Sequence, residues 1–152
     1  MSARRRLQLL ARYLWAAPAS IGGLLLAVPA CLLGAKLRAH DGVLEVTGGL
    51  AGRIAAGTPG ARRFVALTLG HVLFGRSRDI LAGLRAHEHE HVRQYERWGP
   101  LFIPLYIASG VEQWVRGRSF YWHNAFERAA RAAEQVTPSS PGPSSFLRRE
   151  SP

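Results

Sequence analysis

The chain has 152 residues, enough for one domain with its own core, and a formal charge of +10. The charge is carried by arginine, Lys36 being the only lysine, and the arginines are scattered with no RNA- or DNA-module signature, so nucleic acid is not an expected partner. A single cysteine, Cys31, excludes an intrachain disulfide.

Residues 1–12 are a basic N-terminus containing Arg4, Arg5, Arg6 and Arg12. Residues 13–35, YLWAAPASIGGLLLAVPACLLGA, then run for 23 positions without a charge. About 20 apolar residues cross a bilayer as a helix. Tyr13 and Trp15 sit near one end, where aromatic rings favour the membrane interface. Pro18, Pro29 and the glycines are tolerated better in a membrane helix than in a soluble one. The run is read as an uncleaved single-pass anchor in the cell membrane, with a buried soluble helix or a re-entrant hairpin as alternatives. Lys36, Arg38 and Arg53 flank its other side, so the orientation is undetermined.

After the anchor, GVLEVTGG has the composition of a strand through Val43, Leu44 and Val46, bounded by glycines. A loop, LAGRIAAGTPGARR, follows. FVALTLGHVLFG, Phe64 to Gly75, reads as one bent strand or two short ones broken at Gly70. A helix is expected from an N-cap at Ser77, with Asp79 in its first turn, to a stop at Gly99-Pro100. Leu81, Leu84, His87, His91, Tyr95 and Trp98 recur along it at helical spacing. Leu101 to Val111 is uncharged but too short to span a bilayer, so it is either a core helix or a segment dipping into the membrane interface. AFERAARAAEQV forms a last helix, and the Pro/Ser-rich residues 137–152 are expected to be disordered.

His87-Glu88-His89-Glu90-His91 contains H-E-x-x-H. On a helix, His87 and His91 share a face and can ligate one zinc ion, while Glu88 lies beside them as a general base toward an activated water. His89 projects about 200° away from His87 and does not share that metal. The competing reading is a charged helix face laced by pairs such as Glu90 with Arg93 or Arg97. A catalytic zinc needs a third protein ligand, and the downstream candidates are Glu112, His123, Glu127 and Glu134. A last helix returning against the first favours Glu127, with His123 one turn before it. Glu127 also fits a capping box with Asn124, which needs no metal. Gln94, three residues past His91, can orient a ligand. His71, Tyr95, Tyr121 and His123 are candidates for an oxyanion partner.

H-E-x-x-H followed by x-x-Gln and a later Glu-x-x-Ala resembles the gluzincin-type zinc metallopeptidases, and more closely a family of small bacterial membrane-associated proteins of that type. Three segments carry the resemblance: Thr68-Leu69-Gly70-His71, His87 through Pro100, and Asn124 through Ala130. The resemblance implies one zinc ion, His87, His91 and Glu127 as its ligands, Glu88 as catalytic base, and a peptide or protein substrate. It departs at Arg131, where many gluzincins carry an aspartate that holds a ligand histidine. The expected fold is α+β: an N-terminal membrane helix, a small β-hairpin or sheet, then the HExxH helix packed against C-terminal helices in a minimal zincin-like domain at residues 40–136. The alternative to a peptidase is a noncatalytic zinc-binding membrane protein in which the metal ties two helices together. That reading expects a closed four-ligand site with His123 joining the other three.

Overall fold

The structure, a computed structural model, describes residues 3–49 and 66–136. The expected loop before Phe64 and the Pro/Ser-rich tail lie outside those residues. Helix α1 runs Ala3–Leu32, so it begins ahead of the apolar run and takes in the arginines of the basic N-terminus. It continues through Pro18 and Pro29, each of which removes one backbone donor.

Strand β1, Ala35–His40, follows directly. It is not among the strands expected from the sequence, because AKLRAH exposes Leu37 together with Lys36 and Arg38 and shows no apolar alternation. It pairs antiparallel with β2, Val43–Gly48, placing Ala35 opposite Gly48 and His40 opposite Val43. Asp41 and Gly42 make the turn with φ of 46° and 80°, the positive values that match the twist of a two-residue hairpin.

A second hairpin joins β3, Ala66–Leu69, to β4, Val72–Gly75. Its turn requires glycine twice over. Gly70 has φ of +59°, and a Cβ there would collide with Ser20 of α1. Strand β4 pairs in parallel with β2, giving a mixed sheet in the order β1-β2-β4-β3. Helix α2, Arg78–Trp98, starts at Ser77, whose hydroxyl accepts the Ile80 N–H at 3.3 Å. After a short 3-10 turn at Gly99–Leu101 come α3, Phe102–Val115, and α4, Ala125–Val136.

The sheet is a layer between two helices, and its period-2 alternation assigns one face to each. Val43 and Leu73 pack with Leu81 and Val92 of α2. Val46 and Val72, with Leu44 and Phe74, pack with Ala27 and Ala30 of α1. A third cluster joins Ala16 of α1, Tyr95 of α2 and Phe102 of α3, with Tyr106 and Phe126 against it.

Helix α1 therefore shares a core with the domain. Its inner stripe is small, comprising Ala16, Ser20, Gly23, Ala27 and Ala30, which lets the backbone approach closely. A Cβ on Gly23 would stand 2.8 Å from the Cβ of Val72. The outer faces hold Leu14, Ile21, Leu24, Leu25, Val28 and Leu32, all exposed. By length and composition α1 is apolar enough to cross a membrane, and it is the one such helix among the described residues.

Candidate metal centre

Helices α2 and α4 build the site. His87 and His91 lie one turn apart on the face of α2 that meets α4, and Glu127 stands in the first turn of α4. All three are buried, with 4%, 9% and 3% of their surface exposed. The two Nε2 atoms are 3.2 Å apart. Glu127 presents Oε2 to His87 Nε2 at 3.3 Å and Oε1 to His91 Nε2 at 3.5 Å.

The Nδ1 atoms fix this orientation. His87 Nδ1–H donates to Glu134 Oε1 at 2.6 Å. His91 Nδ1–H donates to Gln94 Oε1 at 2.9 Å, while the Gln94 amide donates to the Phe126 carbonyl at 3.1 Å. Because both acceptors take a proton from Nδ1, the lone pairs of the neutral rings fall on Nε2 and point at Glu127. Tyr106 of α3 donates to Glu127 Oε1 at 2.7 Å.

The electrostatics follow from this packing. Burial, the largest influence, lowers the pKa of each histidine. The contact with Glu127 and then the charge of Glu88 outweigh it, so both end above their ordinary value. Burial pushes the Glu127 carboxyl up, but its contacts with His87 and His91 prevail and hold it well below the usual carboxylate range.

These residues suit a cation. One donor atom from each lies within 4.8 Å of the others. Glu127 Oε2 is buried without a hydrogen-bond partner. Two imidazole nitrogens and a carboxylate, each already oriented through its other atoms, form a donor set of the kind divalent metals take. The buried group of His87, His91 and Glu127 could hold a metal ion.

The capping alternative for Glu127 is resolved by its neighbours. Asn124 caps α4 by accepting the Phe126 N–H at 3.0 Å, and its own backbone N–H donates to the Tyr121 carbonyl at 3.2 Å. The reciprocal half of the box is therefore taken, and the Glu127 carboxylate is free to face α2. Arg131, at the departure from the gluzincin pattern, reaches Glu127 Oε2 at 3.9 Å and stacks on Trp122. The acid that holds a histidine sits one turn later, at Glu134.

Glu88 is 5% exposed. It accepts a hydrogen bond from the Thr68 hydroxyl at 2.6 Å, which ties it to β3 at the edge of the sheet. Leu67 on that strand is exposed. The charged-face reading also has its residues, since Arg93 pairs with Glu90 at 2.7 Å on the other side of α2. The pentapeptide thus divides by helical face.

The remaining candidates are dispersed. His71 lies under α1, stacked on Tyr13 at 4.1 Å and bonded to Ser20 and Glu96. Tyr95 belongs to the core, 2% exposed against Phe102, and burial pushes its hydroxyl up to about 12. His123 is exposed in the connection before α4 and lies outside the metal-holding group. Glu112 is exposed and pairs with Arg116. Tyr121 is 41% exposed, and the pKa of its hydroxyl is raised by burial first and then by Glu127. Tyr106 is the residue that sequence reasoning missed. Its position in an uncharged apolar run gave no sign that its hydroxyl would be directed at Glu127.

No protein-family model, curated protein or solved structure matches the chain.

Proposed function

We propose that this protein is a membrane-attached zinc metallopeptidase of gluzincin type, acting on a peptide or protein. The observation that carries the reading is the convergence of His87, His91 and Glu127 beside Glu88. A zinc ion held by the three would supply Lewis acidity toward a carbonyl and a water. Glu88 accepts the proton of the attacking water. Thr68 holds one Glu88 oxygen and leaves the other available for that transfer. Glu134 and Gln94 keep both imidazoles on the tautomer that binds through Nε2. Tyr121 is a candidate hydroxyl for an oxyanion, and β3, the last strand of the sheet among the described residues, suits backbone pairing with an extended peptide.

Membrane attachment rests on α1, whose outward face is leucine-rich. Helix α3 adds to it, turning Phe102, Tyr106 and Gly110 inward and leaving Ile103, Ile107, Val111, Trp114 and Val115 exposed. We read both faces as lipid-facing, which seats the domain against the bilayer.

Burial of all three ligands favours the second reading, a noncatalytic zinc that braces α2 to α4, although His123, its expected fourth ligand, is exposed and outside the group. One experiment separates the two. Zinc content is measured in full-length protein purified in mild detergent, for wild type, His87→Ala, Glu127→Ala and Glu88→Gln, alongside cleavage of a peptide library. The peptidase reading expects about one zinc per chain, lost in the first two variants, and cleavage lost in Glu88→Gln with zinc retained. Zinc without cleavage in wild type leaves the structural role, and no zinc in metal-replete wild type ends both.

A further inference from the structure

A second site lies at the other end of the sheet. Between the β1–β2 hairpin and the start of α2 is a cavity of about 590 Å³, lined by Lys36, Arg38, Glu45, Thr47, Arg76 and Arg78 among others. The strand register explains the concentration of charge. Lys36 stands opposite Thr47 and Arg38 opposite Glu45, so all four side chains share the face that carries α2. Thr47 in turn pairs with Gly75, which brings Arg76 and Arg78 alongside.

Among the described residues none of the four cations has an ion pair or hydrogen bond, and all four are exposed. The one carboxylate in the lining, Glu45, is 2% exposed and is neutralised by Arg85 at 2.9 Å. Four unpaired cations around one hollow repel each other until an anion enters. Arginine forks match phosphate oxygens. The volume falls in the range of sites for small organic ligands and exceeds what a bare phosphate ion occupies.

We propose that this cavity binds a phosphate-bearing organic anion, with Lys36, Arg38, Arg76 and Arg78 as its ligands. The site is separate from the metal centre, since His87 follows Arg78 by a helical rise of roughly 13 Å along α2. Its position identifies one source of the anion. Lys36 comes four residues after the last residue of α1, where the apolar helix ends, so the headgroup of an anionic phospholipid would reach it. That source rests on the membrane reading above, whereas the phosphate chemistry does not.

The test is lipid retention by the full chain in detergent, read by native mass spectrometry with phosphatidylglycerol and phosphatidylcholine offered together and glycerol phosphate as soluble probe. The double variants are Lys36→Gln/Arg38→Gln and Arg76→Gln/Arg78→Gln, on two different elements. Arg93→Gln/Arg97→Gln removes equal charge outside the cavity, from the exposed face of α2. Circular dichroism verifies that each variant is folded. Phosphatidylglycerol retained in preference to phosphatidylcholine, reduced about tenfold or more in both cavity variants and unchanged in the third, supports the lipid headgroup. Glycerol phosphate bound with the same dependence, without lipid preference, supports a soluble phosphate ester at the same site. Equal loss in all three variants, or no binding of either probe, overturns the proposal.

Discussion

Glu127 and Glu134 are two turns apart on α4 and meet the same imidazole from opposite ends, one at Nε2 and the other at Nδ1. Glu134 would therefore act, through His87, on a metal held by the group. Its loss leaves the ring free to turn and makes Nε2 a poorer donor, an effect of roughly 10–100-fold in metal affinity. Glu134→Ala is expected to show that loss in a chelator-competition titration while keeping one zinc per chain at saturation. Unchanged affinity would mean that Glu134 only buttresses the fold. The same titration read by thermal melting has a signed pH dependence. His87 and His91 are raised above 6.5 in the folded chain, so in metal-free protein their contribution is complete below that pH and is lost as pH rises through the folded values. Glu127 is depressed below 4.5, so its contribution is present above that value and is lost as pH falls through the folded one. Metal binding displaces the imidazole protons and strengthens in the opposite direction. Between about pH 6 and 8, the melting temperature should fall for chelated protein and rise for the zinc-loaded form.

The elements differ in how far the sequence revealed them. Helix α2 was fully legible, because its cap, apolar period and stop agree. The metal pair was legible because four residues on a helix make one turn whatever the fold. Strand β1 was not, since its stability comes from pairing with β2 while its side chains face solvent. Tyr106 and Glu134 could not be given their roles from spacing, because both depend on how α3 and α4 lie against α2. Helix α1 was legible in composition but not in packing. The apolar run of 23 residues reads as a single-pass anchor, with a buried soluble helix as one alternative, and α1 covers Val46 and Val72 and packs Ser20 against Gly70 and His71. Uncovering those valines costs about 1.5–3 kcal/mol each, a large share of the stability of a small domain. A chain starting after Leu32 is expected to lose its cooperative thermal transition and its amide-exchange protection in β2 and β4. A soluble, cooperatively melting fragment would return α1 to the role of a simple tether.

At the scale of the molecule, docking of α1 along its length would decide where the candidate metal site stands if α1 enters a bilayer. A stalk would carry the domain clear of the lipid, but α1 is held to the sheet at Ala27 and Ala30 and to α2 at Ala16. If lipid receives the outer face of α1, the rest of the domain follows to the same level. Helix α3 fits that placement. Its inner stripe carries Tyr106 to Glu127, and its outer face ends in Trp114, 69% exposed, with Arg116 and Arg118 just beyond, an order found where a helix meets headgroups. Trp122 faces another environment, stacked under Arg131 near the start of α4. Single-tryptophan forms of the full chain, reconstituted in vesicles whose acyl chains carry a bromine quencher, distinguish the two arrangements. A seated domain should show quenching at Trp15 and Trp114 and little at Trp122. Quenching confined to Trp15 would mean that α3 stands in water, with the candidate metal site away from the membrane surface.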